Sequence, residues 1–270
     1  MHSLFWSFLE QGSSKLVAII VQVVLARLLM PETFGLLALL LVVTTIADSI
    51  AQSGFGMALI QKTDTTDASY DTAFWMSMGI ATVLYVIIFA LAPVLADFYS
   101  MPRLAEALRV LSLTVFFNSA NSIQRSYMQK RMNFKGLFRI GLVSVVCSGS
   151  IGIGAAIAGA GVWALVAQAL SQSVLTCIAM AFIVPWRPHA RFRRSEAAEL
   201  YGFGWKICIT GILNVFYTGI SELILGKACS ASELGFYSQG RKYPNSAIGV
   251  VTGAICNVLF PALSDVRDDK

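Results

Sequence analysis

Long apolar stretches without charge dominate the pattern of hydrophobic and polar positions along the chain. Residues 72–96 contain no Asp, Glu, Lys or Arg, and neither do residues 243–264. Residues 140–186 are uncharged as well, and their strongest break is Gly159-Ala160-Gly161. About 20 mostly apolar residues cross the hydrocarbon core of a bilayer. The pattern therefore predicts one membrane span in each of the first two stretches and a tight two-helix hairpin in the third.

Four further spans carry a few charges inside apolar sequence. They cover roughly Leu4–Leu29, Phe34–Ile60, Ala105–Tyr127 and Phe203–Ala228. Only helices and closed barrels satisfy their backbone polar groups in lipid, and these runs are too long for barrel strands. We therefore predict an all-α polytopic membrane helix bundle with about eight transmembrane helices.

Composition supports a membrane protein and weakens other classes. The chain is 56% hydrophobic and 13% charged, against roughly 45–50% and 25% in soluble domains. The net charge of +5 comes from short links between spans, so it indicates membrane orientation rather than nucleic-acid binding. The five cysteines lie in or beside apolar spans with no CxxC spacing. We expect no metal site and no cofactor.

Two basic links set the predicted orientation. Lys130–Arg139 and Arg187–Arg194 hold the main clusters of Lys and Arg and are separated by two spans. The positive-inside rule places both in the cytoplasm, which also places the N-terminus there. The first segment lacks a basic start and contains Glu10 and Lys15. We therefore expect a true first helix rather than a cleaved signal peptide.

Polar side chains recur along one face of five predicted spans. At about 100° per residue, most of these sets fall within about 140°, and the set on the seventh span falls within about 80°. Hydrogen bonds between packed helices would explain any single stripe. Amide-rich faces on five helices favour a shared hydrated cavity instead. The candidate cavity residues are Glu10, Lys15, Asp48, Gln52, Asn118, Asn121, Arg125, Gln168, Gln172, Lys206, Asn214 and Tyr217.

The positions of the charged residues along their spans make the predicted cavity basic at its cytoplasmic mouth. Glu10, Lys15 and Lys206 fall in the cytoplasmic half of their spans, and Arg125 falls near a cytoplasmic end. Arg and Lys are the usual partners of phosphate, so an anionic headgroup such as a diphosphate would be attracted. Two alternatives remain open: Arg125 and Lys206 reach to the membrane interface, and Lys15 pairs with Glu10.

No catalytic constellation is visible. The two histidines are His2, at the terminus, and His189, in a basic link. Gly152-Ile153-Gly154 lies in an uncharged helix with no preceding strand, so it indicates close packing rather than a phosphate loop. We predict that the chain is not an enzyme.

Short motifs along the whole chain resemble the polysaccharide transporter branch of the MOP superfamily, the Wzx-type lipid-linked oligosaccharide flippases. Each motif is weak alone, but their order and spacing together are specific. The motifs are Trp6 with Glu10-Gln11, Leu25–Leu29, Pro31–Leu36, Ser53–Gly56, Ala58–Lys62, Thr72–Trp75, Met132–Lys135, Gly159–Val166, Trp186–Pro188, Leu225–Lys227 and Phe260–Ser264.

This resemblance implies a transporter that moves undecaprenyl-diphosphate-linked oligosaccharide across the bacterial inner membrane for lipopolysaccharide or exopolysaccharide biosynthesis. Partners implied are that lipid-linked sugar, membrane lipids and other polysaccharide export components. Members have twelve to fourteen helices in two lobes. We expect this chain to hold a first MATE-like lobe (residues 1–186), a basic cytoplasmic linker (187–201) and the first two helices of a second lobe (202–270), as a fragment of a longer protein or an oligomer.

Three other functions remain open. An ion-coupled multidrug antiporter of the same superfamily would use a carboxylate at mid-depth, for which Asp48 is the candidate. A non-transporting scaffold of the export assembly would suit a short chain. A glycan polymerase or ligase would need a large extracytoplasmic loop, and the short outward links count against it.

Overall fold

The computed structural model describes residues 2–62, 65–189, 192–242 and 244, and for residues 2–14 it describes the backbone alone. This part of the chain is helical and contains no strand, as the all-α prediction requires. Residues 231–242 are helical, and the helices before them are α1 (His2–Leu28), α2 (Pro31–Gln52), α3 (Phe55–Gln61), α4 (Asp67–Phe98), α5 (Pro102–Leu111), α6 (Thr114–Lys130), α7 (Phe134–Ile157), α8 (Val162–Ile183) and α9 (Arg194–Ala228).

Five helical stretches among the described residues are long and apolar enough to cross a membrane. They are Pro31–Gln61, Asp67–Phe98, Phe134–Ile157, Val162–Ile183 and Arg194–Ala228. Helix α1 covers the first predicted span, and α5 with α6 covers the fourth. The eighth predicted span lies outside the described residues. The prediction of a polytopic helical membrane bundle is confirmed.

Two predicted spans consist of two helical segments each. The second breaks at Ser53 and Gly54, which both have positive φ angles, 41° and 66°. The fourth breaks between α5 and α6, where the hydroxyl of Ser112 donates to Arg109 O at 3.0 Å and that of Thr114 donates to Leu111 O at 2.6 Å. Such hydroxyls compete with the helical hydrogen bonds and bend the chain.

The hairpin of α7 and α8 is confirmed. Helix α7 ends at Ile157 and α8 begins at Val162. Gly159 and Gly161 between them have φ angles of 79° and 56°. Glycine adopts this left-handed region without strain, so the turn can be this tight.

The first eight helices pack as one bundle. Helix α1 lies along α7, α7 lies along α8, and α6 contacts both α4 and α8. Fully buried leucines of several helices form its apolar core, among them Leu25, Leu40, Leu108 and Leu165. Helix α9 lies on the side of this bundle, mainly against α2. The cleft beside α2 is therefore bounded by helices from both ends of the chain.

The predicted linker is partly helical. Helix α9 begins at Arg194 rather than near Phe203. Residues 194–201 contain no Pro or Gly, and a carboxylate in the first turn, Glu196, favours a helix N-terminus. The division of the chain into lobes at residues 186 and 202 stays a prediction.

The linker is also fastened to the start of α4. The backbone N–H of His189 donates to Asp71 Oδ1 at 3.1 Å, and the indole of Trp75 donates to His189 O at 2.9 Å. Arg193 N–H donates to the Thr72 hydroxyl at 3.2 Å. Three hydrogen bonds thus fasten His189 and Arg193 to α4.

An ion pair fastens the beginning of α9 to the loop after α3. Lys62 Nζ lies 2.8 Å from Glu196 Oε2 and 2.7 Å from Glu199 Oε2. Hydrogen bonds to Glu196 and then Glu199 raise the pKa of Lys62 above its ordinary value. The pKa of Glu196 is lowered by the same hydrogen bond. The pair therefore stabilises the fold at neutral pH, and this contribution is lost at acid pH, where the carboxylate is protonated, and at strongly alkaline pH, where the lysine is deprotonated.

The turn after α1 and the turn after α9 are similar in sequence and touch each other. Leu25, Arg27, Phe34 and Gly35 are matched at a spacing of 200 by Leu225, Lys227, Leu234 and Gly235. A methyl group added at Gly35 would lie 1.9 Å from Ala231 O, and one added at Gly235 would lie 1.9 Å from Pro31 O. This reciprocity indicates an approximate two-fold axis between the two turns.

Candidate functional site: a polar cavity between α1, α2, α8 and α9

A cavity of about 710 Å³ lies between α1, α2, α8, α9 and the helical residues 231–242. Most of its wall is apolar, as expected within a membrane bundle. Its polar lining residues are Lys15, Gln22, Thr45, Gln168, Gln172, Thr218, Glu222, Ser238, Gln239, Arg241 and Lys242.

Helical spacing brings these side chains to the cavity in pairs. Lys15 and Gln22 lie seven residues apart on α1, and Gln168 and Gln172 lie four apart on α8. Residues at these spacings share one face of a helix. On α9, Gly219 is buried, and a methyl group there would lie 3.0 Å from Val42 Cγ1. The missing side chain lets α9 approach α2 closely.

The electrostatics of the cavity are dominated by cations. Arg241 Nη1 donates to Glu222 at 3.1 and 3.2 Å and to Thr218 O at 2.8 Å. Lys242 Nζ donates to Gln22 Oε1 at 3.0 Å. With Lys15, the described lining residues comprise three cationic side chains and one carboxylate, which leaves two net positive charges. An anionic group of matching charge would be attracted to this space.

Three of the twelve predicted site residues line the cavity: Lys15, Gln168 and Gln172. Sequence reasoning missed the cavity residues of α9 and of residues 231–242, above all Glu222 and Arg241. Glu222 lies outside the polar stripe of its helix. A charge inside an apolar span was itself a signal.

Three other predicted residues belong to a separate network inside the bundle. Asn118 donates to Asp48 Oδ2 at 2.9 Å and accepts from the Ser173 hydroxyl at 2.9 Å. Asn121 donates to Ser173 O at 3.1 Å. This network links α2, α6 and α8. It matches the alternative interpretation of polar stripes as hydrogen bonds between packed helices.

The stripe on α9 faces away from the cavity. Lys206, Asn214 and Tyr217 are exposed, and Tyr217 is 81% exposed. Residues 215, 218, 219 and 222 form the cavity face of this helix instead. Whether the stripe lines a hydrated path stays a prediction.

The predicted basic mouth is not assembled among the described residues. Of its three cations, Lys15 reaches the cavity, whereas Arg125 and Lys206 are exposed and outside its lining. Gln52 is half-buried near the end of α2. The side chain of Glu10 lies outside the described residues, so its pairing with Lys15 stays a prediction.

Comparison with models of protein families shows which family the chain belongs to. The family model described as "Polysaccharide biosynthesis protein" matches residues 24–270. The chain belongs to this polysaccharide biosynthesis protein family. The apolar helices and this membership together make it a multi-pass membrane protein, and they confirm the resemblance found in the sequence.

Curated proteins are similar to most of the chain. The succinoglycan biosynthesis transport protein ExoT of Rhizobium meliloti is 24% identical over 98% of this chain and 54% of its own length. The lipopolysaccharide biosynthesis protein WzxC of Escherichia coli is 25% identical over 91% of this chain and 50% of its own length. The teichuronic acid biosynthesis protein TuaB of Bacillus subtilis is 24% identical over 81% of this chain and 46% of its own length.

The chain thus spans about half the length of the curated relatives it matches. No solved structure matches it.

Proposed function

We propose that this protein acts in a flippase-type transporter that moves undecaprenyl-diphosphate-linked oligosaccharide from the cytoplasmic to the periplasmic leaflet of the bacterial inner membrane. The cavity beside α2 receives the diphosphate and the first sugars. The observation that carries this proposal is a positively charged, amide-lined cavity inside an apolar membrane bundle. The similarity to a succinoglycan biosynthesis transport protein supports the substrate class.

The chemistry of the cavity suits such a headgroup. A diphosphate that links a lipid to a sugar carries two negative charges, and the described lining carries two net positive ones. Arg and Lys form charge-assisted hydrogen bonds with phosphate oxygens. The side-chain amides of Gln168 and Gln172 offer both donors and acceptors to sugar hydroxyls. The lipid tail can remain in the bilayer, because the exposed outer surface of the bundle is apolar.

The proposal is tested by removing the cations of the cavity. We expect Lys15→Gln, Arg241→Gln and Lys242→Gln each to reduce surface polysaccharide in cells that depend on this gene, with unchanged protein in the membrane fraction. Arg27→Gln is the matched control, since Arg27 is an exposed cation of α1 outside the cavity. Normal surface polysaccharide in the triple Gln variant would refute the proposal and favour a scaffold.

A further inference from the structure

Two equivalent positions hold the two cations of residues 231–242 in different ways. Gln22 on α1 and Glu222 on α9 are 200 residues apart, the spacing of the two similar turns. Gln22 accepts from Lys242, whereas Glu222 accepts from Arg241 through both carboxylate oxygens. One partner is a neutral amide and the other is an anion.

The anionic partner has a consequence for ligand binding. All the Arg241 bonds described above use Nη1, and two of them go to Glu222. The side chains of Glu222 and Arg241 are 15% and 30% exposed. A charged group in so enclosed a place is destabilised when it loses its partner. A phosphate that took the place of Glu222 would leave a carboxylate unpaired, so substrate and Glu222 compete for Arg241.

Competition of this kind suits a transporter, which must release what it binds. When a diphosphate leaves, Glu222 can return to Arg241, and the guanidinium is never left without an anion. The bond that Lys242 donates to Gln22 goes to a neutral amide, whereas the bonds that Arg241 donates to Glu222 go to a carboxylate. Because the substrate must displace Glu222, its affinity is lower and its release is faster.

We propose that Glu222 is a specificity-determining residue of the cavity, an internal counter-anion that competes with the substrate diphosphate for Arg241. The inference rests on the proposed function. It makes Arg241 a cation whose anionic partner alternates between Glu222 and the substrate. Glu222 then limits how tightly the cavity holds its substrate.

The test uses the purified protein as its gene encodes it, in detergent. The probe is farnesyl diphosphate carrying one N-acetylglucosamine, a water-soluble disubstituted diphosphate, and binding is measured by calorimetry. We expect Glu222→Gln to bind the probe about tenfold more tightly, equivalent to 1.4 kcal/mol, and to release it more slowly in stopped-flow displacement. Glu196→Gln is the control, since it breaks an ion pair outside the cavity.

The other possible results each contradict either the inference or the proposed function. Equal affinity of wild type and Glu222→Gln would overturn the inference and leave the proposed function standing. Weaker binding by Glu222→Gln would also overturn it, since Glu222 would then only orient Arg241. Probe binding absent from wild type and from every variant would refute the proposed function itself. Glu222→Asp keeps the charge at a shorter reach and should tighten binding by a smaller factor, so it serves if the Gln variant fails to fold.

Discussion

At the scale of single residues, the internal network around Asp48 is distinct from the cavity. Asp48 Oδ2 accepts from Asn118, while Asp48 Oδ1 and Asn121 Oδ1 are buried without a hydrogen-bond partner among the described residues. Carboxylates inside a membrane bundle are costly and need partners. The amide of Asn118 therefore contributes to the stability of the contact between α2 and α6.

We expect Asn118→Ala to lower the free energy of unfolding by about 1–3 kcal/mol, because it leaves the buried carboxylate of Asp48 without its donor. Thermal unfolding in detergent measures this change. Asn214→Ala is the control, since Asn214 is exposed, and it should change stability by less than about 0.5 kcal/mol. Equal effects of the two variants would contradict a structural role for Asn118.

A substitution in the same network tests whether the protein is a multidrug antiporter. Asp48→Asn removes the charge and keeps an oxygen that can accept from Asn118. A flippase that binds its substrate in the cavity should retain glycan export with this change. Proton- or sodium-driven drug efflux that vanished in the variant would favour the multidrug antiporter instead.

At the scale of helices and turns, the contact between Gly35 and Gly235 joins the helical residues 231–242 to α2. It lies at the end of the cavity where Phe34 forms part of the wall. Backbone meets backbone there, so a side chain cannot move aside to make room. Alanine normally stabilises a helix relative to glycine by about 0.5–1 kcal/mol. At these two positions alanine should instead destabilise the protein relative to glycine.

We expect Gly35→Ala and Gly235→Ala each to lower the melting temperature and reduce glycan export, because the two turns must separate. Fluorescence-detected thermal unfolding and surface polysaccharide are the measurements. Gly154→Ala is the control, since a methyl group at Gly154 meets nothing within 4 Å. A melting temperature unchanged by Gly35→Ala would show that the turns do not pack as described.

Helix faces can be distinguished by their reaction with water-soluble thiol reagents. In a variant without native cysteines, a cysteine at Gln172 should react, because Gln172 lines the cavity. A cysteine at Phe182 on the same helix should not, although Phe182 is 83% exposed, because lipid covers that surface. Reaction at Asn214 and Tyr217 would support a hydrated path along α9, and protection of both would make its stripe a packing surface.

At the scale of the whole molecule, the structure describes a helical bundle flanked by α9 and the helical residues 231–242, which together line a cavity. The family relationship covers residues 24–270, and the relatives are about twice as long as the region matched. The fastened linker and the reciprocal turns limit how α9 can move relative to α2.

The orientation predicted from the basic links leads to a labelling pattern that can be tested. Cysteines at Ser100 and Gly161 should react with a membrane-impermeant reagent added from the periplasm, and cysteines at Lys135 and Arg193 should not. Reagent added to inverted vesicles should give the opposite pattern. Labelling of Arg193→Cys from the periplasm would overturn the predicted orientation.

The amino-acid sequence by itself determined the class of the protein and much of its helical order. Uncharged stretches of membrane-spanning length admit only helices in lipid, and glycines of positive φ end α7 where the pattern predicts. Local hydroxyl groups also explain the break between α5 and α6. A hydropathy pattern does not show this break, because it averages over many residues.

Only the tertiary structure decided which polar residues meet. The angular position of a residue tells which side of its helix it lies on, but the helix rotation and its neighbours decide what that side faces. Lys15 therefore reaches the cavity while Asn118 and Asp48 pair elsewhere, although their stripes look alike. Arg241 and Glu222 come together because α9 and residues 231–242 fold back on each other, and Gly219 and Gly235 allow both to approach α2. These approaches depend on contacts between distant parts of the chain, which no local pattern records.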